Sequence, residues 1–234
     1  MKTSITPRAR EFITQTWQTQ ANLSFFLVLL AVTVFVLPSL EIKRPHVAFY
    51  ANVVYSLVLA SGAAIGWGRP RLFAFAACAA GPTIVLRWVE WLAPGDTLHV
   101  WSEAFSLASV IAIAFVLLAQ VFREGPINAM RVQGAVAAYL LIGVAYAYAY
   151  QIDTHFNPAA IASREVKVTT FMDWIYYSFC TLSTLGYGDI VPTSRLSRSL
   201  AIAEAISGQL YLAILIARLV AMQVSDPSSP NHSG

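Results

Sequence analysis

The amino-acid sequence predicts an all-α membrane protein with six transmembrane helices and one shorter segment that enters the membrane and returns on the same side. Of its 234 residues, 57% are hydrophobic and 12% are charged, a composition typical of a multi-pass membrane protein rather than a soluble domain. Six apolar runs reach the roughly 20 residues that a helix needs to cross a bilayer. Between the last two lies a short aromatic run from Phe171 to Cys180, which is too brief to cross and is followed by a glycine-rich stretch.

The expected transmembrane helices cover residues 22–40, 47–67, 72–93, 100–122, 131–152 and 195–224. An even number of crossings places both termini on one side, and the positive-inside rule selects the cytoplasm. Arg69 and Arg71 follow the second helix and Arg123 follows the fourth, which agrees with this orientation, whereas Lys43 and Arg44 are exceptions. The first twenty residues have no apolar core, so we expect no cleavable signal peptide.

The net charge of +3 gives no reason to expect a nucleic-acid partner, and membrane lipids are the expected surroundings.

Cys78 and Cys180 both fall inside apolar segments. They are therefore expected to be small buried hydrophobes, not a disulfide or a metal site. No organic cofactor is expected.

The glycine-rich stretch, residues 181–189 with the sequence T-L-S-T-L-G-Y-G-D, is the main functional signal of the chain. Non-helical backbone is tolerated at membrane depth only where it is buried in protein or lines a water-filled path. Gly186 and Gly188 flank Tyr187, and glycine adopts positive φ without steric cost. The strand can therefore turn successive carbonyls to one side, where such a row can replace the water shell of an alkali cation.

Residues 184–189, T-L-G-Y-G-D, resemble the filter signature of the tetrameric potassium channel superfamily, in its prokaryotic-like form with six transmembrane helices per subunit. The resemblance implies a homotetramer around a central pore, formed with three identical subunits, that passes K⁺ down its electrochemical gradient. Leu185 stands where the family usually has valine or isoleucine, and Ser183 where threonine is common. The resemblance implies K⁺ sites at backbone oxygens, and at the threonine hydroxyl, of Thr184, Leu185, Gly186 and Tyr187, with Gly188 completing the filter.

The same resemblance implies roles for residues around the filter. Tyr177 occupies the position of a family tryptophan that bonds the aspartate after the filter, so it is a candidate donor to Asp189. Glu204 is expected to hydrogen-bond behind the pore helix. Gly208 matches the hinge glycine of the inner helix, and close packing explains a glycine there equally well. The implied filter supports are Asp189, Tyr176, Tyr177, Trp174 and Glu204, and the candidate cavity residues are Gln209, Leu212 and Ile216.

The expected domain organisation follows from these segments. It comprises a cytoplasmic amphipathic leader (1–21), a four-helix transmembrane domain (22–122), a linker (123–130), a pore domain (131–224) and a disordered cytoplasmic tail (225–234). Between Val100 and Val121 the only ionisable residue is Glu103, so the fourth helix lacks the arginines of a voltage sensor. Arg87 and Glu90 are expected to neutralise each other on the third helix. No cytoplasmic regulatory domain is expected.

Two other functions are compatible with parts of the sequence. Residues 186–189, G-Y-G-D, also satisfy a G-x-G-D pattern that resembles membrane aspartyl proteases, which need a second aspartate at matching depth. The other aspartates lie at helix ends, in loops or in the tail, so the chain is not expected to be an enzyme. The second alternative is the membrane subunit of a potassium uptake system, whose filters resemble four degenerate loops on one chain.

Overall fold

The protein is described by a computed structural model that covers residues 21–39, 45–66, 69–122, 129–163, 168 and 170–224. The predicted leader up to residue 20, most of the predicted linker and the predicted tail lie outside these described residues. The elements in chain order are α1 (Ala21–Ser39), α2 (Pro45–Ala64), α3 (Pro70–Leu92), α4 (Asp96–Val121), α5 (Ala129–Phe156), β1 (Ile161–Ser163), α6 (Phe171–Leu182), β2 (Ile190–Pro192) and α7 (Arg195–Val224).

Five of these helices are long and apolar enough to cross a membrane: α1, α3, α4, α5 and the Arg195–Arg218 part of α7. The sixth, α2, contributes a shorter apolar helix, Phe49–Ala64. The chain is therefore a helical, multi-pass membrane protein, as predicted. The helix ends differ from the predicted ones by at most four residues, and the largest differences are at the start of α4 and the end of α5.

The last turns of α1 depart from α-helical geometry. Residues Val32–Val36 form a π-helical turn that is closed by a hydrogen bond from the Leu37 N–H to the Val32 carbonyl, and Leu37–Ser39 continues as a 3₁₀ turn. Pro38 has no N–H to donate, so a regular α-helix cannot continue through it. The buried side chain of Leu37 lies in this segment, which contacts α6. The end of α1 therefore reaches the re-entrant segment.

A polar contact joins α3 to α4 in the membrane. The hydroxyl of Ser109 lies 2.6 Å from that of Thr83 and 2.9 Å from the carbonyl oxygen of Ala79. Both hydroxyl-bearing residues are fully buried. Small hydroxyl residues allow close approach of two helices and link them by hydrogen bonds in a medium without water.

The four-helix unit packs closely on the α5 helix of the same chain. Ile113 and Leu117 of α4 are buried in one hydrophobic cluster with Ala138 and Leu141 of α5. A Cβ atom on Gly134 of α5 would lie 3.0 Å from the Val121 side chain, so the helices touch closely. This contact fixes α5 and, through it, the re-entrant segment.

A two-stranded antiparallel sheet forms from the segment after α5 and the segment after the glycine-rich loop. β1 pairs with β2 so that Ile161 lies opposite Pro192 and Ser163 opposite Ile190. The Ser197 hydroxyl donates a 2.6 Å hydrogen bond to the Ala160 carbonyl. The segment after α5 is thereby tied to the segment that leaves the glycine-rich loop.

The predicted pairing of Arg87 with Glu90 is wrong. The Arg87 guanidinium donates to the Asn52 Oδ1 (3.1 Å) and to the Tyr148 hydroxyl (3.3 Å). Glu90 instead contacts His99 of α4 at 2.5 Å. The predicted spacing placed both charges on one face of α3, but partners on α2, α4 and α5 satisfy them separately.

Replacing Ser109 with alanine tests the α3–α4 contact. We expect S109A to lower the free energy of unfolding by about 0.6 to 1.7 kcal/mol, the range measured for interhelical hydrogen bonds in membranes. The control is S61A, since the Ser61 hydroxyl bonds only carbonyls of its own helix. Denaturant titration in mild detergent measures the free energy of unfolding of each variant. If S109A and S61A lower it equally, the hydrogen bond between α3 and α4 does not stabilise the fold.

Candidate functional site

The re-entrant helix α6 begins at a capping box. Thr170 has extended backbone angles, its backbone N–H donates to the Asp173 Oδ2 at 2.9 Å, and its side chain accepts from the backbone of Asp173. The carboxylate also lies at the positive end of the helix dipole. At 12 residues the helix is about 18 Å long, too short for a hydrocarbon core of about 30 Å. It starts at Phe171 as predicted, and its C-terminal end faces the glycine-rich loop.

The loop after α6 has an alternating backbone. Thr184, Gly186 and Gly188 have φ angles of 59°, 55° and 76°, whereas Leu185 and Tyr187 between them do not have positive φ. Alternation of this kind turns successive carbonyl groups of an extended segment toward the same side. Among the described residues Thr184 is the only non-glycine residue with positive φ, a conformation that costs roughly 1–2 kcal/mol. Such strain is typical of functional sites.

The loop is anchored to the end of α6 by its own N–H groups. The backbone N–H groups of Leu185 and Gly186 both donate to the Cys180 carbonyl, at 2.9 and 3.2 Å, and that of Thr184 donates to Thr181 at 2.9 Å. These hydrogen bonds give partners to backbone N–H groups that would have none in hydrocarbon. The carbonyl groups of the loop remain available for another partner.

Tyr176, and not Tyr177, binds Asp189. The Tyr176 hydroxyl donates to the Asp189 Oδ2 at 2.7 Å. Tyr177 lies on the other side of α6, buried against the Tyr150 ring with 4.8 Å between ring centroids. The possibility that Tyr177 replaces the family tryptophan as donor is therefore wrong. The hydrogen bond from Tyr176 lowers the pKa of Asp189 below its ordinary value.

Glu204 of α7 joins three helices behind the re-entrant segment. Its carboxylate accepts hydrogen bonds from the Ser178 hydroxyl of α6 (2.5 Å) and the Tyr150 hydroxyl of α5 (2.7 Å). Glu204 is fully buried, and Trp174, which lies one turn before Ser178 on α6, is also buried. A carboxylate in this position holds the back of α6 at a fixed depth, in the place where sequence analysis expected a hydrogen-bonded Glu204.

Gly208 packs directly against the end of α6. A Cβ atom there would lie 2.3 Å from the carbonyl oxygen of Leu182, so only glycine fits this approach. Its predicted role as a hinge stays a prediction, since close packing alone explains the residue. One residue further, the Gln209 Nε2 lies 3.5 Å from the Thr184 Oγ1, below the loop. Leu212 and Ile216 are exposed on the protomer surface one and two turns along α7.

The side chains of the site do not form a metal centre of the usual kind. Within the described part of the chain, no group of three or more His, Cys, Asp or Glu residues could hold a metal ion. Cys180 is half-buried and free, and Cys78 is exposed on the protomer surface, so its predicted burial is wrong. The groups that can meet a cation here are the backbone oxygens of residues 184–187.

Sequence reasoning missed the polar cluster between the four-helix unit and the re-entrant helix. His99 contacts Glu90 and Glu103, while Arg87 contacts the Tyr148 hydroxyl. The Tyr148 ring packs 4.4 Å from that of Phe171, the first residue of α6. The four-residue spacing of His99 and Glu103 was a signal available in the sequence. Contacts between helices were not.

A comparison with protein families gives a match in the C-terminal part of the chain. Residues 135–224 match the protein-family model described as an ion channel. The matched region extends from α5 to the end of α7 and contains the whole re-entrant segment. This part of the chain is therefore similar to ion channels, and the prediction that the chain is not an enzyme is confirmed.

Three curated proteins are similar to part of this chain. Two-pore potassium channel 1 of Arabidopsis thaliana is 36% identical over 93 residues, 39% of this chain and 23% of that protein. Protein LctB of Bacillus caldotenax is 33% identical over 84 residues, 35% of this chain and 62% of that protein. Two-pore potassium channel 4 of Arabidopsis thaliana is 40% identical over 59 residues, 25% of this chain and 21% of that protein. The chain covers less than two thirds of each of these relatives, and no solved structure matches it.

Substituting Tyr176 tests its bond to Asp189. We expect Y176F to raise the pKa of Asp189 to the ordinary range, measured by NMR titration of the carboxyl carbon, and Y177F to leave it unchanged. Because the pKa is depressed in the folded state, the stabilisation is present at neutral pH and is lost as the pH falls through the acidic range. An equal response to both substitutions would show that Tyr176 is not the donor.

Substituting Gly208 tests the packing of α7 on α6. The methyl group of G208A would displace a backbone carbonyl, so we expect the free energy of unfolding to fall by about 1–3 kcal/mol. The matched control is G95A, just before α4, where the backbone is extended (φ −161°) and no atom beyond the chain neighbours lies within 4 Å of the added Cβ. Alanine there should change the free energy of unfolding by less than about 1 kcal/mol. If G208A unfolds no more readily than G95A, the close approach is not present.

Proposed function

We propose that four copies of this chain form a potassium-selective channel whose filter is the backbone of residues 184–188. The observation that carries the proposal is the alternation of φ at Thr184, Gly186 and Gly188, which directs successive carbonyls to one side of the loop. Carbonyl dipoles in such a row can replace the hydration shell of K⁺. The K⁺ sites lie at the oxygens of Thr184, Leu185, Gly186 and Tyr187.

The tetramer is proposed because one protomer cannot surround an ion by itself. One loop offers oxygens on one side of an ion, and a closed cyclic assembly of four supplies the other sides. The filter side chains of Leu185 and Tyr187 are 55% and 66% exposed in the protomer. The inner helix α7 also presents an exposed apolar stripe at four-residue spacing: Ile202, Ile206, Leu210 and Ile214. These surfaces support an interface among α6, the loop and α7 of neighbouring subunits.

On the side of the filter away from Asp189, we assign the lining of the ion path to α7. Gln209 lies just below Thr184, and Leu212 and Ile216 continue along the helix as cavity residues. The C-terminal end of α6 directs its partial negative charge toward this space. A cation that has left the water on this side is stabilised there before it enters the filter.

Conduction is not steeply voltage-dependent in this proposal. Each elementary charge that crosses the field supplies about 2.3 kcal/mol per 100 mV. No lysine or arginine lies between Val100 and Val121 of α4. Glu103 is buried and ion-paired with His99. The first four helices therefore resemble a voltage sensor in number only.

The proposed location is the cell membrane, with both termini in the cytoplasm and the Asp189 side of the filter facing outward. An even number of crossings and the arginines at residues 69 and 71 support this orientation. The names of the two-pore potassium channels that share the pore segment support potassium as the ion.

Liposome recordings test the selectivity. With a tenfold K⁺ gradient we expect a reversal potential close to about 59 mV, the value for a univalent ion. G186A places a methyl group at a φ of 55° and should abolish the current, whereas G95A should conduct like the wild type. A potential that follows the Na⁺ or anion gradient contradicts the proposal. A particle that holds one copy of the chain, counted by native mass measurement, contradicts the tetramer and favours a subunit of an uptake system.

A further inference from the structure

His99 occupies an unusual position for a histidine at a membrane surface. It lies in the first turn of α4 and is half-exposed, while its Nδ1 is 2.5 Å from a Glu90 oxygen and its Nε2 is 2.6 Å from a Glu103 oxygen. A neutral imidazole carries a proton on only one ring nitrogen and would present a lone pair to the other carboxylate. The Nδ1 contact with Glu90 is a hydrogen bond, whereas the Nε2 contact with Glu103 is a close charge contact without hydrogen-bond geometry, and both Glu103 oxygens are buried without a hydrogen-bond partner. Two carboxylate oxygens this close to one ring fit the imidazolium, whose charge lies between Glu90 of α3 and Glu103 of α4.

The cluster is neutral only while His99 is charged. The titratable groups that contact His99 are Glu90 from α3, Glu103 on its own helix and His155 from α5, whose ring centre lies 6.3 Å from that of His99; Arg87 lies one turn before Glu90 on α3. Two carboxylates, Glu90 and Glu103, are balanced by His99 and Arg87. Loss of the His99 proton leaves one negative charge without a partner at a site where Glu103 is only 4% exposed.

Arg87 is the cation that could replace His99. It lies three residues before Glu90 on α3, a spacing at which side chains of one helix face meet. In the structure, however, Arg87 is turned away: it bonds Asn52 and Tyr148, and its guanidinium carbon lies 4.3 Å from the centre of the Tyr55 ring. The proton on His99 thus decides which cation neutralises Glu90.

This exchange leads directly to the re-entrant helix. The Tyr148 ring packs against Phe171 at 4.4 Å, and the Tyr55 ring lies 6.3 Å from the same residue. Phe171 is the first residue of α6, whose other end carries the filter. If Arg87 moves to Glu90, Tyr148 loses a hydrogen-bond donor and the aromatic packing that holds the start of α6 loses its anchor.

We propose that His99 is a proton switch on the filter-mouth side of the membrane, the side of Asp189, and that it controls conduction by exchanging the partner of Glu90. With His99 protonated, Arg87 holds Tyr148 and the filter keeps the conducting arrangement. With His99 neutral, Arg87 moves to Glu90, the start of α6 loosens and conduction falls. This inference rests on the proposed channel function and adds its regulation.

Single-channel recording in planar bilayers tests the switch. The pH on the filter-mouth side is raised from about 7 to about 11, because the two adjacent carboxylates favour the imidazolium of His99 well beyond the range of an isolated histidine, while arginine and the carboxylates stay charged. We expect wild-type current to fall about fivefold or more, the lower range of allosteric couplings. H155Q should respond like the wild type. H99Q should give the same low current at both pH values, and Y148F should lose the response because Arg87 no longer has its partner on α5.

The results that would contradict the proton switch differ from those that would contradict the proposed channel function. A wild-type current that does not change with pH, or an H99Q variant that responds like the wild type, overturns the switch while leaving the channel intact. A response lost in H155Q would assign the proton to His155 instead and equally overturns it. If no variant conducts at any pH, the channel proposal fails.

A second measurement tests the proton switch without recording a current. NMR of labelled histidine rings in detergent follows His99 and His155 separately. We expect E90Q to lower the titration midpoint of His99, because one of the two carboxylates that favour the imidazolium is removed. An unchanged midpoint for His99 overturns the partner exchange.

Discussion

The arrangement of the pore domain depends on the cost of placing non-helical backbone inside a membrane. Each N–H or C=O group without a partner costs several kcal/mol in hydrocarbon. The loop after α6 satisfies its donors locally, since the N–H groups of Leu185 and Gly186 bind the Cys180 carbonyl. In the proposed channel, the carbonyl groups of the loop face the ion path. The short α6, the glycines at residues 186 and 188 and the close approach of Gly208 agree with a loop that presents these carbonyl groups at membrane depth.

The rest of the chain holds this loop from three directions. Glu204 links α7 to α5 and α6 from behind, and Tyr176 fixes the outer end of the loop through Asp189. β1 and β2 close the outer rim. The four-helix unit packs on α5 of the same chain and reaches the start of α6 through Tyr148 and Phe171. A change in the first four helices can therefore reach the filter without any charge crossing the membrane field.

The sequence predicted the parts of this fold that local pattern determines. The start of α6 at Phe171, the apolar spans and the glycines of the loop follow from composition and spacing over a few residues. The choice between Tyr176 and Tyr177 does not, because adjacent helical residues point about 100° apart and packing against α5 decides which one faces the loop. The partners of Arg87 and Glu90 were likewise determined by α2, α4 and α5, which lie far from them in sequence. The π-helical turn at Val32–Val36 left no signal that periodicity could detect.

The central claim is that main-chain oxygens of residues 184–187 from four subunits surround a dehydrated monovalent cation. The most direct measurement is anomalous diffraction from crystals soaked with thallous ion, a heavy substitute for K⁺. The account predicts a column of anomalous peaks on a fourfold axis, level with the carbonyl oxygens of these residues. Peaks confined to carboxylate side chains, or an assembly with no axial passage beside Tyr187, would contradict it.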